Sequence, residues 1–312
     1  MPDEPMIQDS AYYASILPSH DEVEECKKVL DGFIDLHLHL APDVVQRANN
    51  DIQFIETARR IGYKAIMLKD HFTSTTGRAF LLRQLYESPV VFGGLVLSAS
   101  TGGLNADAVE VALEQGAREI WLPTLYALNH IKHFGGPTLP SFVPVHPVRR
   151  PEKQIQGLSI VDEDDQLKLE VHEILGMVAD SDAILSTGHI SREEICALLE
   201  AAKRAGVRKV LVAHPEFVAT SWSTEDQLKF AEMGAILEHC ASGDYEPKLV
   251  ALNIKKVGVD RCILSSDAGQ VRKGHPSLVM KQFIRDLEDQ GLTESEIWTM
   301  TRDNPAKLLD LK

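Results

Sequence analysis

The sequence predicts an α/β chain folded as a (β/α)8 TIM barrel, with an N-terminal arm and a long insertion between strands 4 and 5. Three observations carry that expectation. A helical pattern, a glycine and a short apolar run recur in that order along the chain. The apolar runs are nearly unbroken, as in parallel strands buried on both faces. Eight of them fall within roughly 250 residues, the usual extent of a closed eightfold barrel. An open doubly wound sheet is the alternative architecture, because counting strands does not establish closure.

The elements follow in order. Residues 1–30 form the arm, where Pro2, Pro5 and Pro18 break any long helix and 21–30 suit a short one. Residues 31–312 form a single barrel domain. Strand 1 begins at Phe33 and ends in Asp35-Leu36-His37-Leu38-His39. Asn50 or Asp51 then caps a helix that turns Ile52, Ile55 and Ala58 toward a core, and Gly62 ends it before strand 2 at 64–69. Strand 3 spans 90–97. Gly116, Gly206, Gly234 and Gly258 stop further helices ahead of apolar runs at 120–122, 210–212, 235–237 and 262–264, because glycine adopts the left-handed conformation a helix end requires. Strand 5 spans 183–186. The next helix starts with a capping box, Ser191 with Glu194, and carries one apolar stripe of Ile195, Leu198, Leu199 and Ala202.

One connection breaks the rhythm. About sixty residues separate Leu122 from Ala183, and Gly135-Gly136-Pro137, Pro140, Pro144, Pro147 and Pro151 predict that their first part is mostly irregular. A long loop at this end of a barrel often acts as a lid. A helix over 166–177 leads into strand 5. His130, His133 and His146 read as solvent-exposed loop histidines.

Composition narrows the function classes. The chain has 312 residues, 44% apolar and 25% charged, enough for a large core. Its 46 acidic and 32 basic residues give a net charge of −14, which disfavours nucleic acid or an anionic membrane as partner. No apolar run approaches the ~20 residues of a membrane span. Cys26, Cys196, Cys240 and Cys262 are scattered without CxxC spacing, and no secretory leader pattern is present, so a reducing, cytoplasmic location is expected. The oligomeric state stays open, a homo-oligomer included.

The chemistry gathers at strand ends. Alternation in an extended strand turns His37 and His39 to the same side, where both imidazoles reach one metal ion. Taken alone, such a pair reads as two histidines on a polar strand face. The reading changes because Lys69, Asp70 and His71 follow strand 2, His189 follows strand 5, His214 follows strand 6, Glu238-His239 ends strand 7 and Asp267 follows strand 8. Functional groups of a barrel sit at that level, so these residues point to a metal site.

From Phe33 onward the chain resembles the amidohydrolase superfamily of metal-dependent barrels, in its branches without a β-sandwich. His37, His39, His189, His214 and Asp267 carry the resemblance, and Asn304-Pro305-Ala306-Lys307-Leu308-Leu309 looks like the closing helix of that superfamily. The resemblance implies one or two divalent ions, zinc first and manganese or iron as alternatives, held by those five residues. It also implies a metal-activated water with Asp267 as general base and His214 as second-metal ligand or oxyanion stabiliser. The chain departs from the pattern after strand 4, where Trp121-Leu122-Pro123-Thr124 offers neither lysine nor glutamate to bridge two ions, and Glu119 sits at the opposite end of its strand. Lys69 is the replacement candidate as a carbamate, against a plain ammonium that pairs with a carboxylate or grips an anion. His71 is a further ligand candidate or a supporting donor.

The expected activity is metal-dependent hydrolysis of a small molecule with an amide, lactone, ester or related bond. The alternatives are a metal-dependent decarboxylase of a small carboxylic acid and a metal-binding barrel without catalysis; TatD-like nuclease activity is disfavoured by the acidic balance. Arg47, Lys69, Arg149, Arg150, Arg272 and Lys273 fall near the predicted mouth and suit an anionic substrate, although solvated loop charges account for most of them. Ser98 to Gly103 could let a substrate approach the backbone, or form only a turn.

Overall fold

A computed structural model describes residues 13–139, 142, 144, 156–241, 243 and 245–311. Among them one eight-stranded sheet runs in sequence order: β1 (Ile34–Leu38), β2 (Ala65–Leu68), β3 (Val90–Val96), β4 (Glu119–Trp121), β5 (Ile184–Ser186), β6 (Val210–Ala213), β7 (Ile236–Cys240) and β8 (Cys262–Ser265). Every neighbouring pair is parallel. The sheet closes at the seam between its first and last strands. There the Asp267 amide donates to the His37 carbonyl at 2.8 Å and the His39 amide donates to the Ala268 carbonyl at 2.9 Å. The predicted (β/α)8 barrel is the observed fold, and the open sheet is not.

The helices are α1 (His20–Leu30), α2 (Asp51–Ile61), α3 (Thr76–Leu85), α4 (Ala106–Glu114), α5 (Leu128–Phe134), α6 (Leu169–Ser181), α7 (Arg192–Ala205), α8 (Thr224–Glu232), α9 (Pro247–Val257), α10 (Pro276–Asp289), α11 (Glu294–Trp298) and α12 (Asn304–Leu308). Local chemistry explains their limits. Ser19 with Glu22, Asn50 with Gln53 and Ser191 with Glu194 form capping boxes, satisfying amides that a helix start leaves unpaired. Gly62 and Gly206 end α2 and α7 in the left-handed conformation.

Two apolar layers result. Ile34, Leu36, Ala65, Met67, Val96, Trp121, Ile184, Leu211 and Ile263 fill the barrel, with Leu308 and Leu309 packed against them. The second layer lies between strands and helices and includes Phe54, Ile195, Leu198, Phe230, Ile254 and Phe283. Residues 13–16 run along the loop after β1: the Ala14 amide donates to the Arg47 carbonyl, the Ile16 amide to the Ala48 carbonyl, and Asn49 Nδ2 to the Ile16 carbonyl. Among the described residues no helix is long and apolar enough to cross a membrane.

Some local expectations change. Helix α2 buries Phe54, Ile55, Ala58 and Ile61, so Ile52 falls on the other side of the stripe and is half exposed. Helix α6 begins at Leu169, which is exposed, rather than at 166. The insertion after β4 is not merely irregular, since α5 lies inside it. Pro140, His146, Pro147, Arg149, Arg150 and Pro151 fall outside the described residues.

Gly269 shows how tightly the seam is built. Its φ is +136°, and a Cβ there would lie 1.8 Å from the His39 carbonyl oxygen. Gly269→Ala is therefore expected to destabilise the fold by about 3 kcal/mol, combining backbone strain with a clash against main chain. Denaturant unfolding measures this, and an unchanged midpoint would contradict the close approach.

Candidate metal centre

The seam that closes the barrel also assembles a cluster of metal-competent side chains. Asp35, buried within β1, accepts the amides of His37 at 3.2 Å and Ser266 at 3.0 Å through Oδ1, tying the turn after β8 to β1. That turn places Asp267 at φ +44°, and Asp267 Oδ1 lies 3.1 Å from both His37 Nε2 and His39 Nε2. Burial works against ionising Asp267, but the two imidazoles outweigh it and hold its carboxyl well below the usual carboxylate range. Burial and Arg47 hold His39 neutral, well below its ordinary value. His37 differs: burial and Lys69 push it down, yet Asp267 and Glu238 prevail and raise it to about 9.

Beneath these three lies a buried charged layer. His37 Nδ1 donates to Glu238 Oε2 at 3.1 Å, and Lys69 Nζ is 2.9 Å from His37 Nε2. Lys69 is 1% exposed, with its ammonium 5.3 Å from the centre of the Trp121 ring. Burial lowers its pKa while Asp267, Glu238 and Glu119 oppose the fall. Glu119 opens β4 and is fully buried, with neither carboxyl oxygen hydrogen-bonded among the described residues. Burial and the Glu238 carboxylate raise its pKa well above the ordinary value.

The remaining histidines occupy the other half of the mouth. His189 and His214 have ring centres 4.8 Å apart, and His37 and His214 are 5.8 Å apart. His214 follows β6 at φ +29°, and its Nδ1 is buried without a hydrogen-bond partner among the described residues. Burial carries His214 down to about 4 and His189 well below its ordinary value. His71 stacks on His39 at 4.7 Å and bonds through Nδ1 to the Thr124 hydroxyl at 2.9 Å. Arg47 is 1% exposed, not solvated: its Nε and one terminal nitrogen grip Asp43 Oδ2 at 2.7 and 2.6 Å, beside His39. Arg272 and Lys273 lie in a short 3-10 turn whose residues are not buried.

His130 overturns its sequence reading. It is fully buried rather than solvent-exposed, because α5 folds back over the mouth and sets His130 Nδ1 2.8 Å from His189 Nδ1. His133 is exposed, as expected.

The donor set fits a divalent cation. One atom each from His37, His39 and Asp267 lie within 4.8 Å of one another, two from imidazoles and one from a carboxylate. The Glu238–His37 pair adds the buried carboxylate that commonly orients a metal-bound imidazole. A cation among these donors takes the place of the His37 proton.

Glu238 and His130 are the residues near the mouth that sequence reasoning undervalued. For Glu238 a signal existed: two-residue alternation puts it on the same inward face as Ile236 and Cys240. Nothing local marks His130, whose burial depends on how the insertion folds.

A family model described as a family of unknown function (DUF6282) matches residues 32–238. No protein with curated annotation matches the chain. Among solved structures, 2,6-dihydroxybenzoate decarboxylase from Rhizobium is similar at 10% identity, covering 90% of this chain and 99% of its own, with a TM-score of 0.56. An amidohydrolase from Pseudomonas aeruginosa has 11% identity, coverage of 92% and 97%, and a TM-score of 0.59. A dipeptidase described as a metallo peptidase has 12% identity, coverage of 90% and 98%, and a TM-score of 0.56. These likenesses establish the shared barrel.

An ion pair behind the mouth gives the fold a pH dependence. His239 Nδ1 meets Glu216 at 3.0 Å, and Glu216 also accepts from Asn253 at 3.0 Å, bracing the turn that carries His214. Burial disfavours the His239 charge, but Glu216 prevails and raises its pKa from 6.5 to about 10. A histidine with a raised folded-state pKa stabilises fully below its unfolded value, and that stability fades as pH climbs toward the folded value. Stability should therefore decline between 6.5 and about 10 through this group, and His239→Gln should flatten the decline. Parallel unfolding free energies for the two proteins across that window would contradict the assignment.

Proposed function

The chain belongs to the family of unknown function DUF6282, and we propose that it is a metal-dependent hydrolase of the amidohydrolase superfamily, acting on a small molecule with an amide, lactone, ester or related bond. The observation that carries this reading is the convergence of His37 Nε2, His39 Nε2 and Asp267 Oδ1 at one point of the barrel mouth. These three residues would hold the first ion, with His189 and His214 available to a second. Zinc is the first candidate for an imidazole-rich set, ahead of manganese or iron. When bound, the ion acts as a Lewis acid that brings the pKa of water toward about 7 and polarises a carbonyl or phosphoryl oxygen.

The chain's own groups account for the rest. Asp267 holds its carboxylate where it can accept a proton from water and return it to the leaving group. His214, neutral and with Nδ1 unpaired among the described residues, serves an oxyanion or a second ion. Lys69 is read as an ammonium rather than a carbamate. A carbamate would add negative charge to a buried layer that already holds the Glu238 carboxylate, whereas an ammonium offsets it. His71 and Arg47 line the same mouth, and Arg47 suits an anionic substrate if Asp43 shares it. The four cysteines are free, which fits a reducing, cytoplasmic setting.

Decarboxylation of a small carboxylic acid is the second reading, favoured by the Rhizobium decarboxylase built on the same barrel. Product analysis separates the two: hydrolysis incorporates oxygen from labelled water, and decarboxylation releases CO2 without it. A screen of amides, lactones, esters and carboxylic acids against zinc-loaded protein identifies the substrate. Chelation should abolish the activity found, and zinc should restore it. Asp267→Asn should lower kcat by about 10²- to 10⁴-fold, while ion uptake falls only in part. Near-normal turnover of that variant would remove Asp267 from the mechanism.

A further inference from the structure

The insertion between β4 and β5 supplies a further histidine to the mouth that the proposed reaction has not used. Helix α5 grips the His189 residue twice. Asn129 Nδ2 donates to the His189 carbonyl at 3.1 Å and to the Ala219 carbonyl at 2.9 Å. The next residue, His130, stands 2.8 Å from the His189 ring, Nδ1 to Nδ1, and its own Nε2 lies 3.1 Å from the Thr138 carbonyl oxygen.

These contacts allow one arrangement of protons. A carbonyl only accepts, so His130 Nε2 carries a hydrogen and donates to Thr138. A neutral imidazole has a single N–H, so His130 Nδ1 is then a lone pair. Charging His130 would bury a cation among the rings of Phe134, at 4.6 Å, and Phe217, at 6.3 Å, with no carboxylate among the described residues bonded to either ring nitrogen. The 2.8 Å contact needs one donor, and it must be His189 Nδ1. His189 therefore keeps its lone pair on Nε2.

We propose that His130 is a positioning residue that fixes the tautomer and ring orientation of His189, leaving His189 Nε2 as the atom offered to a cation. The last clause rests on the metal-dependent reading above; the tautomer does not. In this arrangement Thr138, His130 and His189 form a relay from a backbone carbonyl to the mouth, and the described part of the loop after β4 contributes orientation.

The first test uses the metal-free wild-type chain with isotopically labelled histidine. Nitrogen NMR should show His189 protonated at Nδ1 and bare at Nε2, and His130 with the reverse tautomer. The opposite tautomer at His189, or fast exchange between the two, overturns the proposal, and no variant has to fold for that result. The second test titrates Zn2+ into variants by calorimetry. His130→Phe keeps the ring volume but offers no acceptor, and should weaken zinc binding by about 10- to 100-fold. His130→Asn returns an acceptor oxygen near the Nδ1 position and should recover most of the loss. Equal affinity and stoichiometry in wild type and His130→Phe overturn the proposal. If wild-type protein takes up no divalent ion while NMR finds the stated tautomers, the metal-dependent reading fails and the relay stands.

Discussion

Two backbone hydrogen bonds across the seam between β1 and β8 are the constraint on which the rest of this protein depends. They join Asp267 to His37 and His39 to Ala268, so the contact that completes the cylinder also sets the spacing of three potential ligands. Each bond alone is worth only about 1 kcal/mol net, but its geometric effect is larger. Asp35 reinforces the seam from inside β1 by accepting amides on both sides of it, and Gly269 lets the chain pass against the His39 carbonyl. Site geometry and barrel closure are one structural event.

The mouth is divided electrostatically. On one side His37, Asp267, Glu238 and Lys69 form a charged, buried group whose members neutralise one another. On the other side His71, His130, His189 and His214 are held neutral chiefly by burial. Neutral imidazoles keep lone pairs for an electrophile, while the carboxylates compensate positive charge brought in from outside. A single environment, uniformly acidic or uniformly apolar, would not hold both groups in these states.

The barrel itself was legible because its signals are local and repeated. Glycines after helices, capping boxes and unbroken apolar strands each follow from short-range chemistry, and their number compensates for the weakness of each one. His37, His39, His189, His214 and Asp267 were legible for a related reason: in a barrel, strand ends share one level, so position along a strand converts into position in space. Ile52 shows the limit of local hydrophobicity, since its phase around α2 and not its side chain decides that it faces out. His130 and the burial of Arg47 were not legible, since both depend on how loops pack over the mouth. Glu238 lies between these cases. Its alternation marks it as inward-facing, but only the seam shows that it meets His37.

The separation along the chain between the two sides of the seam bears on how the protein comes into being. His39 and Asp267 are 228 positions apart. During synthesis, the imidazoles of β1 leave the ribosome long before their carboxylate partner. A nascent chain thus passes through a period in which it presents a histidine pair without the group that completes it, and capture of an ion in the final geometry has to wait until position 267 has emerged.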